Sequence, residues 1–68
     1  MYEGTISALR LDRGFGFIRM VDAPDVFFHA SDLNEELPFD ETLKERRVAF
    51  NIISAVRGPR AASVRPAI

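Results

Sequence analysis

The sequence predicts an all-β fold, a small closed barrel of five short strands. Glycine and proline cut the 68 residues into short pieces. No stretch holds apolar residues at helical spacing for more than about one or two turns. Between the breaks, side chains alternate in the two-residue rhythm of strands.

The strands fall near Tyr2 to Leu11, Gly14 to Val21, Val26 to His29, Arg47 to Ser54 and Ala61 to Arg65. Leu11-Asp12-Arg13-Gly14 closes a tight turn with glycine supplying an unusual backbone angle. Asp22-Ala23-Pro24-Asp25 reads as a loop between strands, and Arg57-Gly58-Pro59 as the break in the last hairpin. Ser31 to Arg46 is long, acidic and interrupted by Pro38; it reads as a connecting loop with a helical turn after Ser31 and another near Glu41 to Glu45. No repeat or linker divides the chain, so residues 1–68 form one domain.

A domain this small buries only about 60% of the surface its unfolded chain exposes. With no cysteine and one histidine, His29, neither a disulfide nor a structural metal is available to staple it. No cofactor is expected. No apolar run is long enough to span a bilayer and no signal segment follows Met1 to Gly4, which makes the cytoplasm the default location.

The net charge of -1 hides a segregation. Asp22 to Glu45 carries eight acidic residues against Lys44, whereas the rest of the chain carries eight arginines against Glu3 and Asp12. Arginine forks onto phosphate or lies flat against a base, so the basic part suits nucleic acid, although a solvated arginine face has the same composition.

Alternation carries the functional signal. Phe15, Phe17 and Arg19 share one face of the second strand, with Gly16, Ile18 and Met20 on the other. In the third strand Val26 and Phe28 share a face, and Phe27 and His29 the opposite one. If Ile18, Val26, Phe28, Val48, Phe50, Ile52 and Val64 fill the interior, Phe15, Phe17, Phe27 and His29 point outward beside Arg19. Taken singly, each phenylalanine more often belongs to an ordinary core or half-buried packing. Together they do not, because covering both faces of two adjacent strands needs a second layer that a chain without a long helix lacks. Unpaired bases are a natural partner for such a patch. Gly14 and Gly16 remove side chains that would hinder a strand or a nucleotide from approaching.

Arg13-Gly14-Phe15-Gly16-Phe17-Ile18 resembles the first ribonucleoprotein motif of cold-shock domains, and Val26-Phe27-Phe28-His29 resembles the second. The resemblance extends through Gly4-Thr5-Ile6, Asp25, Ser31 and Arg57-Gly58-Pro59-Arg60-Ala61-Ala62-Ser63-Val64. It implies a five-stranded OB-type barrel that binds single-stranded RNA or DNA and often melts RNA structure. Phe15, Phe17, Phe27 and His29 would stack on bases, with Phe39 a further stacking residue. Arg10, Arg13, Arg19, Arg57 and Arg60 complete the expected nucleic-acid-binding set. The chain also departs from the pattern: where cold-shock proteins read Lys-Trp-Phe-Asn it has Ser7-Ala8-Leu9-Arg10, and Ala30 replaces a phenylalanine.

Catalysis is the least favoured class, since an outward strand histidine beside phenylalanines offers no pocket, even with Ser31 and Asp32 near it in sequence. One histidine without cysteine does not make a metal site, and the acidic loop lacks the spacing of a calcium loop. The expected partner is single-stranded RNA or DNA, bound by a monomer or weak homodimer. The competing reading is a protein-interaction module using a degenerate barrel face.

Overall fold

The computed structural model describes residues 1–67 and contains five strands, β1 (Tyr2–Arg10), β2 (Phe15–Met20), β3 (Ala23–His29), β4 (Arg47–Ala55) and β5 (Gly58–Pro66). They close into a barrel in the order β1-β2-β3-β5-β4. Neighbours are antiparallel except at the β3–β5 seam, where Phe27 pairs with Arg60 in parallel. This is the OB-type barrel that the sequence predicts.

The β1–β2 turn forms at Leu11 to Gly14 as expected: Arg13 and Gly14 donate to the Arg10 carbonyl at 3.0 and 2.8 Å. Gly14 takes φ 78° there. The other two hairpins turn earlier than the sequence indicates. Met20 pairs with Ala23, so Val21-Asp22 is the turn, and Asp22 tolerates its left-handed φ of 60°. Ala55 pairs with Gly58 across Val56-Arg57. Pro24 and Pro59, expected in the breaks, therefore lie second in their strands, near a start where a missing N–H is tolerated.

Of the expected interior residues, Ile18, Val26, Phe28, Val48, Phe50 and Val64 are buried, while Ile52 is half-buried against them. Three further residues, Ile6, Leu9 and Ala61, enter the core through breaks in alternation. Ile6 is buried and Leu9 packs on the core, although three residues apart they would face opposite ways on a regular strand. The β1–β2 register shifts between Ile6 and Ala8, and this bulge at Ser7 turns both inward. In β5, Ala61 and Val64 are both buried, across a shift at Ser63, whose φ is 53°.

The long segment between β3 and β4 is more than a connection. It holds one-turn 3₁₀ helices at Ala30–Asp32, which begins a residue before Ser31 because His29 and not Ser31 caps it, and at Glu41–Leu43, within the predicted second turn. Leu37 and Leu43 from this segment are buried in the barrel core. Both ends are stitched to strands: Asn34 donates to the Val64 carbonyl at 2.7 Å, and Glu45 to the Ile6 carbonyl at 2.8 Å. Asp40 caps the second helix, and bonds from the Thr42 hydroxyl and Thr42 N–H hold its carboxyl below its ordinary value. That cap is complete above the ordinary carboxylate range and lost as pH falls through the lowered value.

The barrel packs tightly at Gly16, which pairs with Phe28. A Cβ on Gly16 would lie 2.8 Å from the Phe28 ring and 2.6 Å from the Ala8 carbonyl oxygen. Two variants test this core by urea unfolding. Phe50→Ala is expected to lose about 3–5 kcal/mol, and Gly16→Ala about 1–3 kcal/mol through overpacking.

Candidate nucleic-acid interface

The outward residues of β2 and β3 sit opposite one another: Phe17 pairs with Phe27, and Phe15 with His29. The three phenylalanine rings form one cluster. Phe15 and Phe27 have centroids 5.6 Å apart; Phe17 meets Phe15 and Phe27 edge-on at 6.0 Å each. Each ring covers part of its neighbours, so all three are half-buried rather than fully exposed, and the edge-on contacts satisfy their quadrupoles.

His29 is exposed at the end of this row. Its Nδ1 accepts from the Ser31 N–H at 3.1 Å, which leaves Nε2 as the protonated nitrogen of the neutral ring. Its backbone N–H donates to Asp32 Oδ2 at 2.9 Å, so His29 and Asp32 cap the first 3₁₀ helix reciprocally.

The rings form one wall of an open cleft of about 700 Å³. The opposite wall is the β4–β5 hairpin, Ala55 to Arg60. Arg57 is exposed at its tip and makes no ion pair among the described residues. Arg60 is half-buried, and its guanidinium grips Asp32 with Nε to Oδ2 at 2.8 Å and Nη2 to Oδ1 at 3.3 Å. Sequence reasoning found Arg57 and Arg60 on this wall but missed its apolar members, including Val56 and Pro59. The available signal is Val56, an apolar residue in a two-residue turn, fully exposed in the structure.

The remaining predicted site residues divide. Arg10 is exposed and pairs with Phe15 across β1–β2, and Arg13 is exposed in the adjoining turn, so both flank the ring cluster. Arg19 lies away from the cleft lining, with Nη2 3.7 Å from Glu45 Oε1. Phe39 is half-buried against the core and belongs to no ring pair in the cluster. Gly16 faces the core, so the space it leaves serves Phe28 rather than a nucleotide. No group of three or more histidine, cysteine, aspartate or glutamate side chains among the described residues is arranged to hold a metal ion.

The family model of the 'Cold-shock' DNA-binding domain matches residues 2–67. The chain belongs to the cold-shock domain family. It is 36% identical over 64 residues to the cold shock protein CspA of Staphylococcus saprophyticus, covering 94% of this chain and 96% of that relative. It is 37% identical over 65 residues to a cold shock-like protein of Aquifex aeolicus, with 94% and 91% covered. Among solved structures it superposes on drosophila Unr CSD456 with a TM-score of 0.77 at 26% identity. That match covers 98% of this chain and 26% of the larger one.

The departures from the cold-shock pattern can now be placed. Ala8 is exposed and pairs with Phe17, so an aromatic ring there would extend the cluster over β1. Leu9 packs on the core, so the change at that position concerns the interior. Ala30 follows His29 as the first residue of the 3₁₀ helix. Because the rings lie outside the barrel, Phe17→Ala and Phe27→Ala should each lower stability less than Phe50→Ala in thermal melts. Equal losses at Phe17 and Phe50 would invert the assignment of faces.

Proposed function

We propose that this cold-shock domain binds single-stranded RNA or DNA by stacking unpaired bases on Phe15, Phe17 and Phe27. One observation carries the reading: three phenylalanine rings cluster on the outside of the barrel and line an open cleft that also contains Arg57. Every base has a flat π-face, and stacking contributes about 1–3 kcal/mol per base. Arg57 supplies an uncompensated charge for a phosphate, and Arg10 and Arg13 flank the same rings. His29 adds an outward ring with a donor at Nε2. Rings stack only on bases that are already unpaired, so single strands are the preferred form.

The exposed Val56 and Ile53, on the hairpin that walls the cleft, favour a second reading in which a protein docks there. Salt separates the two. Phosphate contacts release counterions, so binding of a labelled heptanucleotide should weaken steeply between low and moderate salt, whereas apolar docking holds or strengthens. A matched duplex should bind more weakly than either of its strands. Equal or tighter duplex binding would remove the stacking mechanism.

The two missing rings give a second test. Ala8→Trp combined with Ala30→Phe should tighten single-strand binding about tenfold, taking the cautious end of the stacking range. The melting temperature should change little, because Ala8 lies on the outer surface. A double variant that binds oligonucleotides no better than the parent at low salt would shift the balance to protein docking.

A further inference from the structure

Arg60 does not meet the requirements of a phosphate contact. Its guanidinium is matched by the Asp32 carboxylate at 2.8 and 3.3 Å, and the pair is well shielded, with side chains 34% and 12% exposed. A charge already neutralised in this way releases few counterions on binding a phosphate. Asp32 itself is held in place, since it also accepts the His29 N–H at 2.9 Å. The guanidinium is therefore fixed in orientation at the seam where Arg60 pairs with Phe27, in the wall of the cleft lined by the rings.

A guanidinium has five N–H donors in a rigid planar fork. Asp32 occupies the Nε hydrogen and one on Nη2, which leaves both hydrogens of Nη1 and one of Nη2. Nη1 and Nη2 together present two parallel donors, the fork that matches two adjacent acceptors on one base edge. Guanine offers that pair as O6 and N7; adenine places a donor beside N7.

We propose that Arg60, held by Asp32, is a specificity-determining residue that reads guanine in a single strand stacked on the phenylalanine cluster, with Asp32 its positioning residue. The inference rests on the nucleic-acid reading above. It divides the two arginines of the cleft: Arg57 contacts phosphate without regard to sequence, and Arg60 contacts a base.

The test uses the full chain and two series of heptathymidylates, one carrying a single guanine and the other a single adenine at each position in turn, titrated at two salt concentrations. The parent should bind its best guanine oligonucleotide on the order of tenfold more tightly than the matching adenine one. Arg60→Lys keeps the charge and removes the fork, so this ratio should collapse towards one while binding to plain heptathymidylate persists. Asp32→Asn releases the guanidinium, so the ratio should fall while the salt dependence steepens by about one phosphate contact. A merely structural role for the pair would lower melting temperature and affinity for every oligonucleotide and leave the ratio unchanged. Should Asp32→Asn fail to fold, the Arg60→Lys ratio decides alone. A parent ratio within twofold of one, or a ratio that survives Arg60→Lys, overturns the inference while leaving the stacking reading in place. Absence of binding to every oligonucleotide overturns both.

Discussion

The contact between Gly16 and Phe28 sets what the rest of the barrel can do. A barrel of five short strands has one interior, and Phe28 is among the largest side chains that are fully buried in it. Its ring lies across Gly16 on the neighbouring strand, in space that a single Cβ would close. With Phe28 and Ile18 turned inward, the pleat forces Phe15, Phe17 and Phe27 outward. The aromatic cluster is thus the necessary other face of the packing that closes the core. This is why two adjacent strands carry aromatics on both sides without a second layer to cover them.

Closure also requires strands to leave their two-residue rhythm. A small barrel curves more sharply than regular strands allow, and bulges supply the bend. Ser7 and Ser63 mark these sites, and at each the residues before and after the bulge face the interior together. The β1 bulge has an outward consequence. It sets Ala8 opposite Phe17, so the geometry that brings Leu9 into the core also fixes how far the aromatic surface extends over the first strand. The acidic segment closes the core with Leu37 and Leu43, and its first helix brings Asp32 to Arg60.

Strict alternation was readable from the residues. Phe15 to Met20 and Val26 to His29 alternate without interruption, so their faces followed directly, as did the expected core residues Val48, Phe50 and Val64. Ile6 with Leu9, and Ala61 as a second core residue beside Val64, were not readable, because a spacing of three has no meaning on a regular strand and a bulge leaves no local mark beyond a serine. Leu37 and Leu43 were hidden for a different reason: they sit among acidic residues, and composition there describes the solvated side of the segment. The hairpin wall of the cleft depends on how β4 and β5 lean over β2 and β3, a relation between elements far apart in the chain. The half-burial of the three rings is similarly tertiary, since each ring is shielded by the others.

The segregation of charge takes on its meaning only when folded. Two of the three ion pairs among the described residues, Arg19–Glu45 and Arg60–Asp32, join the basic part of the chain to the acidic segment, and the third, Arg47–Glu3, lies within the basic part. The exposed pairs are worth little in stability, because solvent screens them. The larger effect of the ion pairs is on the field around the barrel: the shielded Asp32 cancels the charge of Arg60 inside the cleft, and Glu45 cancels that of Arg19 away from it. Arg57, Arg10 and Arg13 keep their charge around the rings. If the rings stack on bases as proposed, a surface with a few uncompensated arginines beside them attracts a polyanion weakly from a distance and leaves discrimination to close contacts. With alanine at positions 8 and 30, where the cold-shock pattern carries rings, the proposed binding has less aromatic area to draw on and correspondingly more to gain from contacts that depend on which base is present.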